Sequence, residues 1–325
     1  MAKPAIRHFA LCIPAHNEAG SLEVLLPELD DVIKNLAPLR VSLFVFDDAS
    51  TDATAQVLER ASFRTAQVFL LRSRVRVGKA TGLRLAMQSA LEAGADGLLM
   101  LDADGQDAPA FIAEILAVLN SGIDLVNARR VNREHSFSKR LSSRAFNATV
   151  RSVTGLKVWD INSGMKGFSR RAAENLAPFL YGELHRVLVV VGVWLGLSVG
   201  EVSVVNRPRI AGRSKYGSAR GWRGLIDLLT IVFLLRYQAR PGHFFSGIGA
   251  ALLSTGLAGS AFSFLAEATG AERLPMVYFV LASLTVSGVA LISIGLLSEL
   301  MLFLSRTPPV RVVDTVRMPS SRGGR

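Results

Sequence analysis

The chain has 325 residues, half of them hydrophobic, with 37 Lys plus Arg against 26 Asp plus Glu, a net charge of +11. That length allows about two domains. A single cysteine, Cys12, excludes an intrachain disulfide and suits a reducing compartment. The positive charge does not point to nucleic acid, because no zinc-ligand spacing or aromatic-basic stripe accompanies it.

Residues 1–220 read as one domain in which apolar strands alternate with amphipathic helices. Phe9–Ile13 is a short apolar run, too short for a secretory leader. Leu22, Leu25, Leu26, Leu29, Val32, Ile33 and Leu36 follow at helical spacing, with Pro27 expected to kink or delay that helix. Val41–Phe46 is a second strand, then helix-like Ala53–Ala61, strand Val68–Leu71, helix Lys79–Ala93 and strand Gly97–Leu101. Pro109–Leu119 and Ile123–Val126 add another helix and strand. Val187–Val199 reads as a buried helix running into a strand. This βα alternation predicts an α/β domain with a mostly parallel, Rossmann-like sheet covered on both faces.

The C-terminal third differs. Trp222–Arg240 carries an apolar core between basic ends and is expected to lie in a membrane interface, over 221–242, with a buried structural helix as the alternative. Phe244–Ala266 and Met276–Ser298 are free of charge and long enough to cross a hydrocarbon core of roughly 30 Å, giving a two-helix hairpin over 243–305. Arg207, Arg209, Arg213, Lys215, Arg220, Arg223, Arg236 and Arg240 precede the runs, opposed only by Asp227. Arg306, Arg311, Arg317, Arg322 and Arg325 follow in a basic tail, 306–325, while Glu267, Glu272 and Arg273 lie between the runs. The positive-inside rule then puts both termini and the first domain in the cytoplasm, on an inner membrane. Basic residues beside spans also meet anionic lipid and phosphate substrates.

Three strands end in polar clusters. Phe9–Ile13 leads into Pro14, Ala15, His16, Asn17 and Glu18; Val41–Phe46 into Asp47, Asp48, Ala49, Ser50, Thr51 and Asp52; Gly97–Leu101 into Asp102, Ala103, Asp104, Gly105, Gln106 and Asp107. Each alone could be helix capping. Together they line the carboxyl edge where open α/β sheets bind ligands. Asp102 and Asp104, two residues apart, can share a hard divalent cation that also takes phosphate oxygens.

Read in order, Cys-Ile-Pro-Ala-His-Asn-Glu, Phe-Asp-Asp-Ala-Ser-Thr-Asp and Leu-Asp-Ala-Asp-Gly-Gln resemble the nucleotide-sugar half of family 2 glycosyltransferases with the GT-A fold. Asp160–Lys166, Tyr181–Arg186 and Arg207–Gly217 narrow the resemblance to the polyprenyl-phosphate branch, which includes dolichyl-phosphate mannose and glucose synthases and undecaprenyl-phosphate sugar transferases. It covers about residues 8–240. It implies inverting transfer from a UDP- or GDP-sugar to a polyprenyl phosphate, with Mg²⁺ or Mn²⁺ as cofactor. It places Pro14, Ala15, Asn17, Glu18, Asp47 and Asp48, with Lys79, Asp102 and Ala103, around the nucleotide sugar. Asp102, Asp104 and Gln106 would surround the metal, and Arg129, Lys139 or Arg140, and Ser143 would face the acceptor phosphate. Arg209 and Lys215 would close over the phosphates and act with Asp104 in catalysis. A homo-oligomer such as a tetramer is compatible with the resemblance.

The chain departs from the family pattern at His16, where Tyr is usual, and at Ala49, where Gly is usual. Arg74–Lys79 keeps Gly-Lys without the Asn often seen before it, and Asn127-Ala128-Arg129 stands where Gly-Ser-Arg is common. A processive polysaccharide synthase would share the first three motifs but carry a Gln-x-x-Arg-Trp segment, which is absent. A nucleotidyltransferase would open with a Gly-rich, Arg-containing loop, and a dinucleotide oxidoreductase with G-x-G-x-x-G; neither is present. A non-catalytic polybasic adaptor would have no use for the clustered carboxylates.

Overall fold

The computed structural model describes residues 5–131, 158–208 except 162 and 183, the single positions 233 and 237, and 240–305 except 271 and 273. The described residues fall into two units, one N-terminal and one C-terminal. The expected interfacial segment lies almost wholly outside the described residues. So do the basic tail and Lys139, Arg140, Ser143, Arg209 and Lys215.

The first unit is built on a seven-stranded sheet of β1 (His8–Ala15), β2 (Arg40–Asp48), β3 (Ala66–Ser73), β4 (Gly97–Met100), β5 (Leu125–Val131), β6 (Lys166–Ser169) and β7 (Val199–Val205), in the order β3-β2-β1-β4-β6-β5-β7. β1 pairs in parallel with β2 and β4, β2 with β3, and β5 with β7. β6 alone runs antiparallel, between β4 and β5. Continuous burial along β1 and β2 is what a parallel strand covered on both faces demands. Helices α1 (Ala19–Lys34), α2 (Thr54–Arg60), α3 (Lys79–Glu92), α4 (Ile112–Asn120), α5 (Arg170–Leu176) and α6 (Leu188–Trp194) connect the strands.

α1 runs from Ala19 through Pro27 to Lys34, so Pro27 does not delay the helix. Leu22, Leu25, Leu26, Leu29 and Ile33 face the core, whereas Pro27 and Glu23 are exposed. The Glu23 carbonyl that loses its intrahelical donor therefore lies on the wet face, where water satisfies it. Close helix–sheet contact depends on glycine: a Cβ on Gly82 would stand 2.5 Å from the Phe46 ring, and one on Gly167 would collide with Ile115.

Because β1 connects outward to β2 on one side and adjoins β4 on the other, the strand order reverses between β1 and β4. That switch point is where α/β sheets open a crevice. Ala15 is level with Asp47, and Cys12 with Met100, so the three polar clusters emerge side by side.

The second unit is an antiparallel pair, α7 (Pro241–Ala268) and α8 (Pro275–Ser305), each long and apolar enough to cross a membrane. Gly242, Gly249 and Gly256 face Glu299, Gly288 and Leu281 respectively. A Cβ on Gly249 would lie 2.7 Å from the Gly288 carbonyl, so the backbones touch. Small residues at such contacts are how helices pack where lipid competes for apolar side chains. Phe262, Phe279 and Met276 stay exposed, as lipid-facing residues would.

Candidate active site

The loops after β1 and β2 are stitched together by their own side chains. Asn17, at a φ of 52°, donates its N–H to Ser50 Oγ (2.9 Å), and its Oδ1 accepts from Thr51 N (2.8 Å). Glu18 N donates to Thr54 Oγ1 (2.9 Å), and Ala19 N to Asp52 Oδ2 (3.2 Å), so α1 takes its cap from the neighbouring loop. His16 Nδ1 donates to the Asp48 carbonyl at 2.8 Å. Asp47 is fully buried; its Oδ1 accepts from Ser50 N (3.0 Å), and Arg72 Nε stands 3.4 Å from Oδ2. Asp48 Oδ1 accepts from Val77 N (2.7 Å) and Oδ2 from Gly78 N (3.0 Å), which fixes the turn that delivers Lys79 to the first residue of α3.

At the end of β4 the carboxylates gather. Lys79 Nζ lies 2.6 Å from Asp102 Oδ1. Burial pushes the Asp102 carboxyl up, but the Lys79 ammonium against it more than offsets this and holds it below the usual range. Asp104 is buried, and its Oδ1 accepts from Gln106 N (3.1 Å). Asp107 is also buried, and burial together with the charges of Asp102 and Asp104 pushes it up to about 7. Gly164 closes on this group: a Cβ there would stand 2.8 Å from Asp102 Oδ2 and 2.9 Å from Asp107 Oδ2. Asp107 bridges to Asn206, and Arg207 N donates to the Gln106 carbonyl (2.9 Å), tying the segment after β7 to the carboxylate loop. Arg207 also forks onto Glu28 of α1 through two bonds of 3.1 and 2.8 Å.

The remaining wall comes from β5 and the segment before β6. Arg130 grips Asp160 bidentately, with Nε to Oδ2 at 2.8 Å and Nη2 to Oδ1 at 3.1 Å. Asn127 Nδ2 donates to the Asp160 carbonyl (2.8 Å), and the Arg129 guanidinium stacks 5.1 Å from the Trp159 ring centre. Lys166 is fully buried, donates to the Ser163 carbonyl, and is pulled down to about 7 by burial. His185 is pushed down to about 3 by burial, then by Lys79 and Arg186, so its imidazole is neutral.

Among the described residues, no group of three or more His, Cys, Asp or Glu side chains forms a ready metal cage. The donor set fits another mode. Two carboxylates, the half-buried Asp102 and the buried Asp104, suit a hard cation whose other positions are filled by substrate oxygens and water.

The structure thus brings Asp102, Asp104 and Lys79 together and sets Asp47, Asp48, Asn17 and Glu18 at the adjoining strand ends. Arg129 lies on β5, occupied by Trp159. Asp107, Asp160, Gly164, Lys166 and His185 received no role from the sequence. Only their place within the Asp160–Lys166 and Tyr181–Arg186 segments and the Asp102–Asp107 cluster could have drawn notice.

Residues 10–177 match the sequence model of Glycosyl transferase family 2, and the chain belongs to that family. It is 32% identical over 248 residues to the dodecaprenyl-phosphate galacturonate synthase of Rhizobium johnstonii, covering 75% of this chain and 72% of that one. It is 28% identical over 243 residues to an undecaprenyl-phosphate 4-deoxy-4-formamido-L-arabinose transferase of Pseudomonas fluorescens, covering 74% and 70%. The GT-A fold is shared with glucosyl-3-phosphoglycerate synthase from Mycobacterium tuberculosis, crystallised with Mn²⁺, UDP and phosphoglyceric acid. The TM-score is 0.52 at 21% identity, over 70% of this chain and 78% of that one.

Proposed function

We propose that this glycosyltransferase moves a sugar, with inversion, from a UDP- or GDP-sugar to a polyprenyl phosphate at the cytoplasmic face of the inner membrane. The observation that carries the reading is the Asp102–Asp104 carboxylate pair at the sheet's switch point, in a chain 32% identical to a dodecaprenyl-phosphate galacturonate synthase. The two long apolar helices suit a lipid-borne acceptor. In this reading 1–220 is the catalytic domain, 221–242 an interfacial helix, 243–305 the membrane hairpin and 306–325 a cytoplasmic tail.

The acceptor is a phosphate monoester whose second pKa near 6 leaves it largely dianionic at neutral pH, so it needs no strong base. The chain's task is positioning and charge. Pro14, Ala15, Asn17, Glu18, Asp47 and Asp48 hold the nucleoside. Asp102 and Asp104, beside Gln106, would hold Mg²⁺ or Mn²⁺, which supplies charge to offset the departing diphosphate. Lys79 keeps Asp102 ionised. Arg129, with Lys139 or Arg140 and Ser143, meets the acceptor phosphate, and Arg209 and Lys215 close over the phosphates.

The test is turnover by purified protein in detergent with Mn²⁺ or Mg²⁺, polyprenyl phosphate and a panel of UDP- and GDP-sugars. The panel includes galacturonate and 4-deoxy-4-formamido-L-arabinose donors. Lipid-linked sugar from one donor is the expected result. Absence of product from every donor, together with no metal-dependent binding of UDP or GDP, overturns the reading.

A further inference from the structure

Lys166 is an anomaly of burial. Its side chain is wholly withdrawn from solvent, in a sheet position flanked by Met100 of β4 and Asn127 of β5. Among the described residues its ammonium makes one hydrogen bond, to the Ser163 carbonyl, and no carboxylate stands within ion-pair distance. Asp160 and Asp102 attract it from farther off, while Arg130 and Lys79 repel it. A buried ammonium without a close counter-ion costs stability, and a neutral side chain of similar volume would remove that cost. A residue kept at such expense has a use other than holding the fold.

The geometry shows what the ammonium holds. Ser163 precedes Gly164, and Gly164 packs so tightly on the carboxylates that a Cβ would meet Asp102 Oδ2 and Asp107 Oδ2 at once. The Gly164 backbone is not in the left-handed region, so its need for glycine comes from those two oxygens and not from its own conformation. At its other end the turn is fixed by the Arg130–Asp160 fork. Resting on the proposed donor site, we propose that Lys166 and Gly164 are positioning residues for it. Lys166 holds the Ser163 carbonyl so that Gly164 presses Asp102 and Asp107 into the arrangement that receives the cation and diphosphate.

The experiment uses full-length protein in detergent carrying Lys166→Met or Gly164→Ala, with Mn²⁺-dependent UDP binding by calorimetry, donor and acceptor KM, and melting temperature as readouts. Lys166→Met is expected to melt at or above the wild-type temperature while Mn²⁺–UDP binding weakens at least tenfold and the polyprenyl-phosphate KM holds. Gly164→Ala is expected to show the same weakening. Wild-type affinity in both variants overturns the inference. So does a Lys166→Met protein that melts well below wild type, since the lysine would then be serving the fold. Failure of the wild type itself to bind Mn²⁺–UDP would instead overturn the functional reading beneath it.

Discussion

Lys79 Nζ lies 2.6 Å from Oδ1 and 2.8 Å from Oδ2 of Asp102, joining the first residue of α3 to the end of β4 across the sheet's switch point. Burial alone would push the Asp102 carboxyl up, and Lys79 is the largest influence opposing it. Lys79→Met should therefore raise the Asp102 pKa and carry the acid limb of the kcat/KM profile to higher pH. Loss of a charge-assisted bond of about 1.5–3 kcal/mol predicts a fall of roughly 10- to 100-fold at neutral pH. An acid limb that stays in place in the variant would show that Asp102 ionisation does not limit activity.

Asp107 sits in the opposite situation, pushed up to about 7 by burial and by the charges of Asp102 and Asp104. Its unfolded carboxyl ionises near 3.9, so between that pH and about 7 the folded protein binds more protons than the unfolded chain. Stability then falls as pH rises through this window. Asp107→Asn removes the titration. In metal-free protein the variant should melt higher than wild type at pH 8, and the difference should shrink towards pH 4. A difference that does not change with pH would rule out Asp107 as its source.

Ala49, the residue after β2, has a φ of 54°, a left-handed conformation that costs a residue with a Cβ about 1 kcal/mol or more. This is the position where the family pattern carries Gly. Ala49→Gly should relieve the strain and stabilise the protein by a few tenths to about 1 kcal/mol, after the extra entropy of glycine in the unfolded chain. For a unit of this size that is a melting shift of at most about 2–4 °C. A lower melting temperature for the variant would show that the strain is already relieved by neighbours.

In the helical hairpin, a Cβ on Gly288 would stand 2.6 Å from Leu253 N and 2.7 Å from the Gly249 carbonyl. Both are backbone atoms, so no rotamer change can make room. Gly288→Leu should force α7 and α8 apart at a cost of about 1–3 kcal/mol. The melting temperature in detergent should drop, while Mn²⁺–UDP binding stays at the wild-type value. Unchanged melting would mean the helices pack by other contacts in detergent.

Much of the first unit was legible because parallel strands buried on both faces must be continuously apolar, and each then meets a polar cluster where the sheet opens. β1, β2 and β4 announce themselves in that way. β6 does not: Lys-Gly-Phe-Ser has no alternation, and its partners β4 and β5 are distant in sequence. Lys166 was hidden because lysine composition points to the surface, and the Arg130–Asp160 fork because its members lie 30 residues apart. Pro27 does not delay α1 because it sits on the exposed face, which its spacing within the helix does not reveal.

Asp104 is buried, and its Oδ1 accepts the Gln106 N–H at 3.1 Å. Asn at this position keeps the size and one acceptor oxygen, so Asp104→Asn should fold, insert and melt near wild type. What it removes is one of two charges offered to the cation. A hard divalent ion held by so few protein ligands depends on each of them. Turnover should therefore be abolished, and UDP binding should lose its dependence on Mn²⁺. A variant that keeps full activity under metal-replete conditions would remove Asp104 from the metal site and leave Asp102 to act with Lys79 alone.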